Sequence, residues 1–365
     1  MKIIKVDAFI LRVPLGRKVA DSFNATEHVG MPGVRIHSDS GLVGTGFTTT
    51  LGAGDDLIHG AIATYYAPVL MGRDPFYVKQ LWHELYWSSL HWIGRQGITT
   101  MAMAAVDVAL WDLMAKAMQQ PLWRVLGGAK EKKIKTYNTD GGWLNKPVDE
   151  MVDHLKRLVD QGWTGVKMKV GKPDPREDYD RVKRVRKALG DSVDLMVDVN
   201  QTWDLNTALV WGKRLEEFHI GWLEEPLAPE DVRSHRILAR ELNTPIALGE
   251  HIYNRQAFRD YLMEEAVEII QVDVTRVGGI TEWLQVADMA LCFNCPVIPH
   301  TADGGQVHQH LVAATQNSPM QEYVPLAGKL WIDQVEIREG WLQLPETPGA
   351  STDFIPEVFE KHRVA

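Results

Sequence analysis

Two lysines one residue apart, Lys167 and Lys169 in the stretch GVKMKVGK, are the first residues whose spacing suggests chemistry. Read as a strand, this stretch puts both ammonium groups on one face, roughly 7 Å apart, with Val166, Met168 and Val170 on the other. Paired lysines in water are also a common protection for an edge strand. Further along, Asp198 and Asn200 share a face, and Glu224, Glu250, Asp273, His300 and Glu322 each close a short β-rich run. Seven successive runs therefore end in an ionisable group. One or two would pass as satisfied structural polar groups, but gathered at one mouth, seven are too costly to desolvate without a function.

Asp198, Glu224 and Glu250 give three carboxylates, one per strand. Hard oxygen donors without Cys or His suit Mg²⁺ far better than zinc. Glu225 should face outward by alternation and be structural, while Asn200 can reach a substrate or orient a ligand. Lys169 lies nearer the strand end than Lys167. A neighbouring ammonium and a bound Mg²⁺ would lower its pKa and make it a general base. His300 faces the lysines across the ring of strands, and Asp273, one strand earlier, can take its ring N–H and fix the tautomer. Glu322 can hydrogen-bond a substrate oxygen where negative charge develops. Opposed bases across a metal-held carboxylate suit removal of the proton α to it, with Mg²⁺ and aimed donors stabilising the dianion.

Such residues need a scaffold that gathers strand ends. From residue 133 the chain alternates β-rich runs with helical stretches: IKTYNT (134–139), GVKMKV (165–170), DLMVDV (194–199), IGWLEEP (220–226), PIALGE (245–250), IIQVDV (269–274), CPVIPH (295–300) and MQEYVP (320–325). The spacing is that of βα units, and eight of them predict an α/β fold, a barrel of parallel strands with the active site at their C-terminal ends. No helix follows the eighth run, so the barrel has seven regular helices; the tail reads as extended chain with a turn. Residues 1–125 lack this rhythm and predict an α+β domain packed on the barrel (126–330), with residues 331–365 returning to it. In the helix TTMAMAAVDVALWDLMAKAM, Asp107, Asp112 and Lys116 should be solvated or structural.

The 365 residues allow two such units, and a net charge of −9 argues against nucleic acid and anionic membrane as partners. No run approaches the roughly 20 apolar residues of a membrane span. The N-terminus reads as a strand rather than a signal peptide. Cys292 and Cys295 lack the further ligands of a zinc site and should be ordinary packed thiols, consistent with a reducing cytoplasm.

The ordered set AAVDVALWDLMAKAMQQPLWRVLGG, KMK, DVNQTWD, WLEEP, LGEH, QVDVTRVGGITE and IPHTADGG resembles the enolase superfamily, mandelate racemase subgroup, over essentially the whole chain. The resemblance implies a modified TIM barrel, (β/α)₇β, with an N-terminal capping domain whose loops close over the substrate. It implies Asp198, Glu224 and Glu250 as Mg²⁺ ligands, Lys169 and the His300–Asp273 dyad as acid/base groups, Lys167 on the substrate carboxylate and Glu322 polarising it. A homo-oligomer, often an octamer, is implied as well. YNTDGGWL, KMKVG and DVNQTWD resemble acid-sugar dehydratases acting on talarate and galactarate; GEHIYNR resembles fuconate and rhamnonate dehydratases. The expectation is a hydro-lyase converting an acid sugar to its 2-keto-3-deoxy acid. A racemase or epimerase of a 2-hydroxy acid would use the same groups, and a non-catalytic acid-sugar binder would not need a base on each side. For polyol contacts the chain offers Arg17, Lys18, Ser22, Asn24 and His28 in a cap loop (16–28), Asn138 and Asp140 after the first strand, Asn200, and Arg276 after the sixth. An aromatic substrate would want an apolar loop, which this one is not. The 13 Trp should sit mostly in the core.

Overall fold

A three-stranded antiparallel sheet opens the chain: β1 (Ile3–Ala20), β2 (Ala25–Ser38) and β3 (Val43–Phe47), in that spatial order. In this computed structural model, which describes residues 1–129, 131, 133–326 and 328–365, the helix Ile98–Ala117 lies flat on that sheet. Gly44 and Gly46 of β3 permit the close approach: a Cβ at either would come within 2.1 Å of a helix carbonyl, of Ala109 or Ala105. Ala102 to Leu113 are all buried. Contrary to the sequence expectation, this 20-residue helix, with mean hydropathy 1.4, has the length and composition to cross a membrane; here it is the central helix of the cap.

Its polar residues are structural rather than solvated. The buried Asp107 carboxylate accepts the amide (2.8 Å) and hydroxyl (2.7 Å) of Thr281, tying the cap to the barrel helix Ile280–Cys292. Asp112 accepts the amides of Thr45 and Ala350 and pairs with Lys116, which also reaches Asp353. Burial outweighs these hydrogen bonds and pushes the Asp107 carboxyl up to about 7. A carboxyl raised in the folded state stabilises the fold below its unfolded pKa of 3.8 and loses that contribution as pH rises through about 7. Unfolding free energy, measured by urea titration between pH 4 and 8 against an Asp107→Asn variant, should fall more in the parent by about 2–4 kcal/mol. Parallel profiles would place Asp107 outside this balance.

The barrel strands are β4 (Lys133–Gly142), β5 (Gly165–Lys169), β6 (Asp194–Asp198), β7 (Leu223–Glu224), β8 (Ile246–Leu248), β9 (Ile269–Ile270) and β10 (Met320–Tyr323). They pair in parallel from β4 to β9, and β10 returns to β4. The seventh run, 295–300, is reduced to a bridge between Val297 and Ile270, because Pro296 and Pro299 flank it and donate no hydrogen bonds. Among the described residues, seven helices follow the first seven runs, from Val148–Asp160 to His308–Ala314. A hairpin, β11 (Glu336–Arg338) and β12 (Trp341–Gln343), then adds antiparallel to the start of β4. The last residues return to the cap, where Phe354 and Phe359 pack with Phe9, Leu11 and Phe47 and Val364 donates to Ile10 O. Cys295 is buried, and burial pushes its thiol up to about 11; Cys292, expected to be packed, is exposed on its helix.

Candidate active site

The register of the barrel aligns the chemistry. Lys169 lies beside Asp198 and Asp198 beside Glu224 on adjacent parallel strands, so all three side chains leave the same row. Glu250 follows β8. One oxygen each from Asp198, Glu224 and Glu250 lies within 4.8 Å of the others, and all three residues are buried. The backbone at this mouth is strained: Asn200 (φ 48°), Gln201 (φ 69°) and Glu225 (φ 39°) are left-handed without being glycine. That bend lets the Asn200 amide donate to Asp198 Oδ1 (2.9 Å) and its side chain reach Glu250 (3.5 Å), while Asn200 Oδ1 is buried with no donor. Three buried carboxylates and an unpaired amide oxygen form a hard-oxygen donor set that fits a divalent cation such as Mg²⁺. Burial and the Asp198 charge push the Glu224 carboxyl up to about 8, with Lys167 opposing.

Lys167 is 2% exposed, its Nζ 2.6 Å from both Glu224 Oε1 and Glu322 Oε1. Lys169 Nζ donates to Asp198 Oδ2 (2.5 Å). Among the protein groups alone, burial and Lys167 pull the Lys169 pKa down, but Asp198, Glu250 and Glu224 outweigh them and hold it above its ordinary value; the lowering expected from the sequence includes the charge of Mg²⁺. On the other side of the carboxylates, His300 Nδ1 is 2.7 Å from Asp273 Oδ2 and Nε2 is 2.9 Å from Glu250 Oε2. Asp273 is itself fixed by the amides of Thr275 (2.7 Å) and Ala302 (3.0 Å) and by the Thr275 hydroxyl (2.7 Å). Burial depresses the His300 imidazolium, yet Glu250, Glu322 and Asp273 more than offset it and raise its pKa. Glu322 Oε2 accepts the Thr301 amide (2.9 Å), which leaves Oε1 toward Lys167. Lys169 on β5 and His300 at the end of the seventh run thus flank the carboxylate cluster at its two ends, against Asp198 and Glu250 respectively.

These groups line a cavity of about 470 Å³ between barrel and cap. From the barrel come Lys167, Lys169, Asn200, Arg276, His300 and Glu322. From the cap come Asp21, Asn24, Thr49 and Thr50, but also Phe23, Leu51, Ile58, Ile98 and Met101. The cap wall is therefore more apolar than the 16–28 stretch alone suggested. That stretch is the tip of the β1–β2 hairpin. Its Ser22 hydroxyl lies 3.0 Å from Val170 O and 2.9 Å from Val199 O, seating the cap on the ends of β5 and β6. Gly171 makes room for it: a Cβ there would stand 2.3 Å from Ser22 Oγ, and its φ of +101° disfavours any side chain.

Other expected residues are placed elsewhere. Arg17 pairs with Asp140, Lys18 is exposed, and neither lines the cavity. Asn138 is buried and accepts the Asp140 amide, a turn-forming role away from the cavity wall. Glu225 is buried, not outward-facing: it hydrogen-bonds Gln201 Nε2 (2.9 Å) and His251 Nδ1 (3.0 Å). Arg276 joins this group, with Nη1 3.2 Å from His251 Nε2 and Nη2 3.7 Å from Glu250. The sequence reading missed Gln201 and His251, which line the cavity beside the cluster, and Trp143, whose ring centre lies 5.9 Å from Lys169 Nζ. Their only sequence signal was adjacency to Asn200, Glu250 and the first strand.

Comparison with known proteins places this geometry. The "Mandelate racemase / muconate lactonizing enzyme, N-terminal domain" family matches residues 5–127, and the "Enolase C-terminal domain-like" family matches residues 150–358. L-talarate/galactarate dehydratase of Salmonella typhimurium is 36% identical over 86% of this chain and 78% of its own length. An L-talarate dehydratase structure from Polaromonas sp. JS666, complexed with Mg and L-glucarate, superposes with TM-score 0.92 at 33% identity, covering 100% of this chain and 98% of that one. A racemase structure from Streptomyces coelicolor A3(2), with bound magnesium, gives TM-score 0.93 at 30% identity, covering 99% and 100%. The cap and the barrel each match their own domain family, and the strand-end constellation sits between them: the chain belongs to the enolase superfamily, with the mandelate racemase/muconate lactonizing enzyme type of N-terminal domain.

Proposed function

We propose that this protein is a Mg²⁺-dependent acid-sugar dehydratase, converting an aldonate or aldarate to its 2-keto-3-deoxy acid. The observation that carries this reading is the placement of Lys169 and His300 on opposite sides of the Asp198–Glu224–Glu250 cluster. Bound by those three carboxylates, the metal would offset the charge that develops on the substrate carboxylate. Lys167 and Glu322 stand where that carboxylate is held. One of Lys169 and His300 takes the α-proton, breaking the C2–H bond. The electron pair expels the 3-hydroxyl, which leaves as water with a proton from the other group, and the enol tautomerises to the keto acid. Asp273 keeps the imidazole oriented throughout. The names of the dehydratase relatives support the reaction class.

The test is a panel of acid-sugar diastereomers with Mg²⁺, scored for keto acid with semicarbazide. Activity should vanish on chelation and return with Mg²⁺; full activity after verified metal removal would remove the metal from the reading. A second reading, a racemase of a 2-hydroxy acid, is favoured by the apolar cap residues Phe23, Leu51 and Met101. Polarimetry on aryl 2-hydroxy acids in the same panel decides it. Mg²⁺ binding without either product would point to a binding protein.

A further inference from the structure

The charges of the cavity are segregated. Its basic side chains, Lys167, Lys169, His251, Arg276 and His300, all come from the barrel. They gather at the reacting end, around Asp198, Glu224, Glu250 and Glu322, with His251 against Glu225. The cap differs. Among the described residues, no Lys or Arg of the cap lines the cavity, and the charged cap residue that does is Asp21. Its Oδ1 accepts the amides of Phe23 (2.8 Å) and Asn24 (2.6 Å), so the hairpin tip holds the carboxylate in place. Arg17, close by in sequence, is engaged with Asp140. The remaining cap wall is hydroxyl, amide or apolar.

An acid sugar has its reacting carboxylate among the barrel groups, which leaves its far end beneath the cap. In an aldonate that end is an uncharged hydroxymethyl group. In an aldarate it is a second carboxylate, which would meet no Lys or Arg on the cap wall and lie beside Asp21. Resting on the acid-sugar reading above, we propose that the cap selects monocarboxylic acid sugars, aldonates, over the dicarboxylic aldarates of the same configuration. Asp21 and the cation-free wall are the selecting elements. The chain would then differ from its talarate/galactarate relative, whose named substrates are dicarboxylic.

The experiment uses matched pairs that share configuration from C2 to C5, such as galactonate with galactarate and gluconate with glucarate. Keto-acid formation by the Mg²⁺-loaded protein gives kcat/KM for each. In the best pair the aldonate should lead by at least about 100-fold, since juxtaposed like charges in a binding site are strongly unfavourable. Asp21→Asn keeps the acceptor oxygen of the turn but removes the charge, and Asn24→Arg adds a cation at an exposed tip position. Each should narrow the aldonate-to-aldarate ratio by about 10-fold. An aldarate turned over as well as its partner would overturn the selectivity and leave the dehydratase reading intact. An aldonate preference unmoved by both variants would overturn the role of the cap. No keto acid from any sugar would overturn the dehydratase reading and this proposal with it.

Discussion

Lys169→Ala and His300→Asn should each abolish measurable keto-acid formation while leaving the fold intact. A positioned acid or base contributes about 10²–10⁴-fold, and here the two act in one turnover. Neither change disturbs the barrel core, because Lys169 and His300 both lie at the cavity surface. Asparagine at 300 can still donate to Asp273 Oδ2, which accepts from His300 Nδ1 in the parent protein. The measurement that separates the two roles is exchange of the α-proton with solvent deuterium. The variant lacking only the acid still exchanges, whereas the variant lacking the base does not. Turnover within a few-fold of the parent in either variant would take that residue out of the proton transfers.

Glu224→Gln is the second large effect. The carboxylate is surrounded by donors: Oε1 accepts from Lys167 Nζ (2.6 Å), and Oε2 accepts from Trp222 Nε1 (2.9 Å) and Gln271 Nε2 (2.8 Å). Whichever way a glutamine amide turns, its NH₂ meets a donor, at a cost of about 1–3 kcal/mol for the group left unpaired. The substitution also removes one of three negative charges from the cation site and leaves Lys167 with Glu322 as its close partner. Mg²⁺ affinity, read by isothermal titration calorimetry, should drop by about 100-fold or more, since even changes behind the ligands typically cost 10–100-fold. Affinity within about twofold of the parent would mean the cation is held elsewhere.

Much of this site was readable from residue type and position because strand geometry is simple. Alternation and one group per strand were enough to bring Asp198, Glu224, Glu250, His300 and the lysines together. Alternation failed at Glu225, where the chain leaves the ladder with φ of 39° and the side chain turns back to His251. It could not foresee the strained turn at Asn200 and Gln201, which depends on tertiary contacts rather than local preference. The cap was the least legible part. Whether Arg17 pointed into the cavity or toward Asp140 depended on a partner 123 residues away. Likewise the helix Ile98–Ala117 looks apolar on every side because a sheet and a barrel both cover it, a fact no single-segment pattern contains.

Ser22 has one proton and two carbonyls to give it to. Those carbonyls belong to Val170 and Val199, the residues immediately after Lys169 and Asp198. The hairpin tip therefore rests on a calliper whose two jaws carry Lys169 and Asp198. A ligand whose far end touched Asp21, Phe23 or Asn24 would bear on the width of that calliper. A shortened ligand that leaves the tip unsupported would lose reaction rate as well as affinity, because binding energy remote from the bond being broken is spent on alignment at the bond.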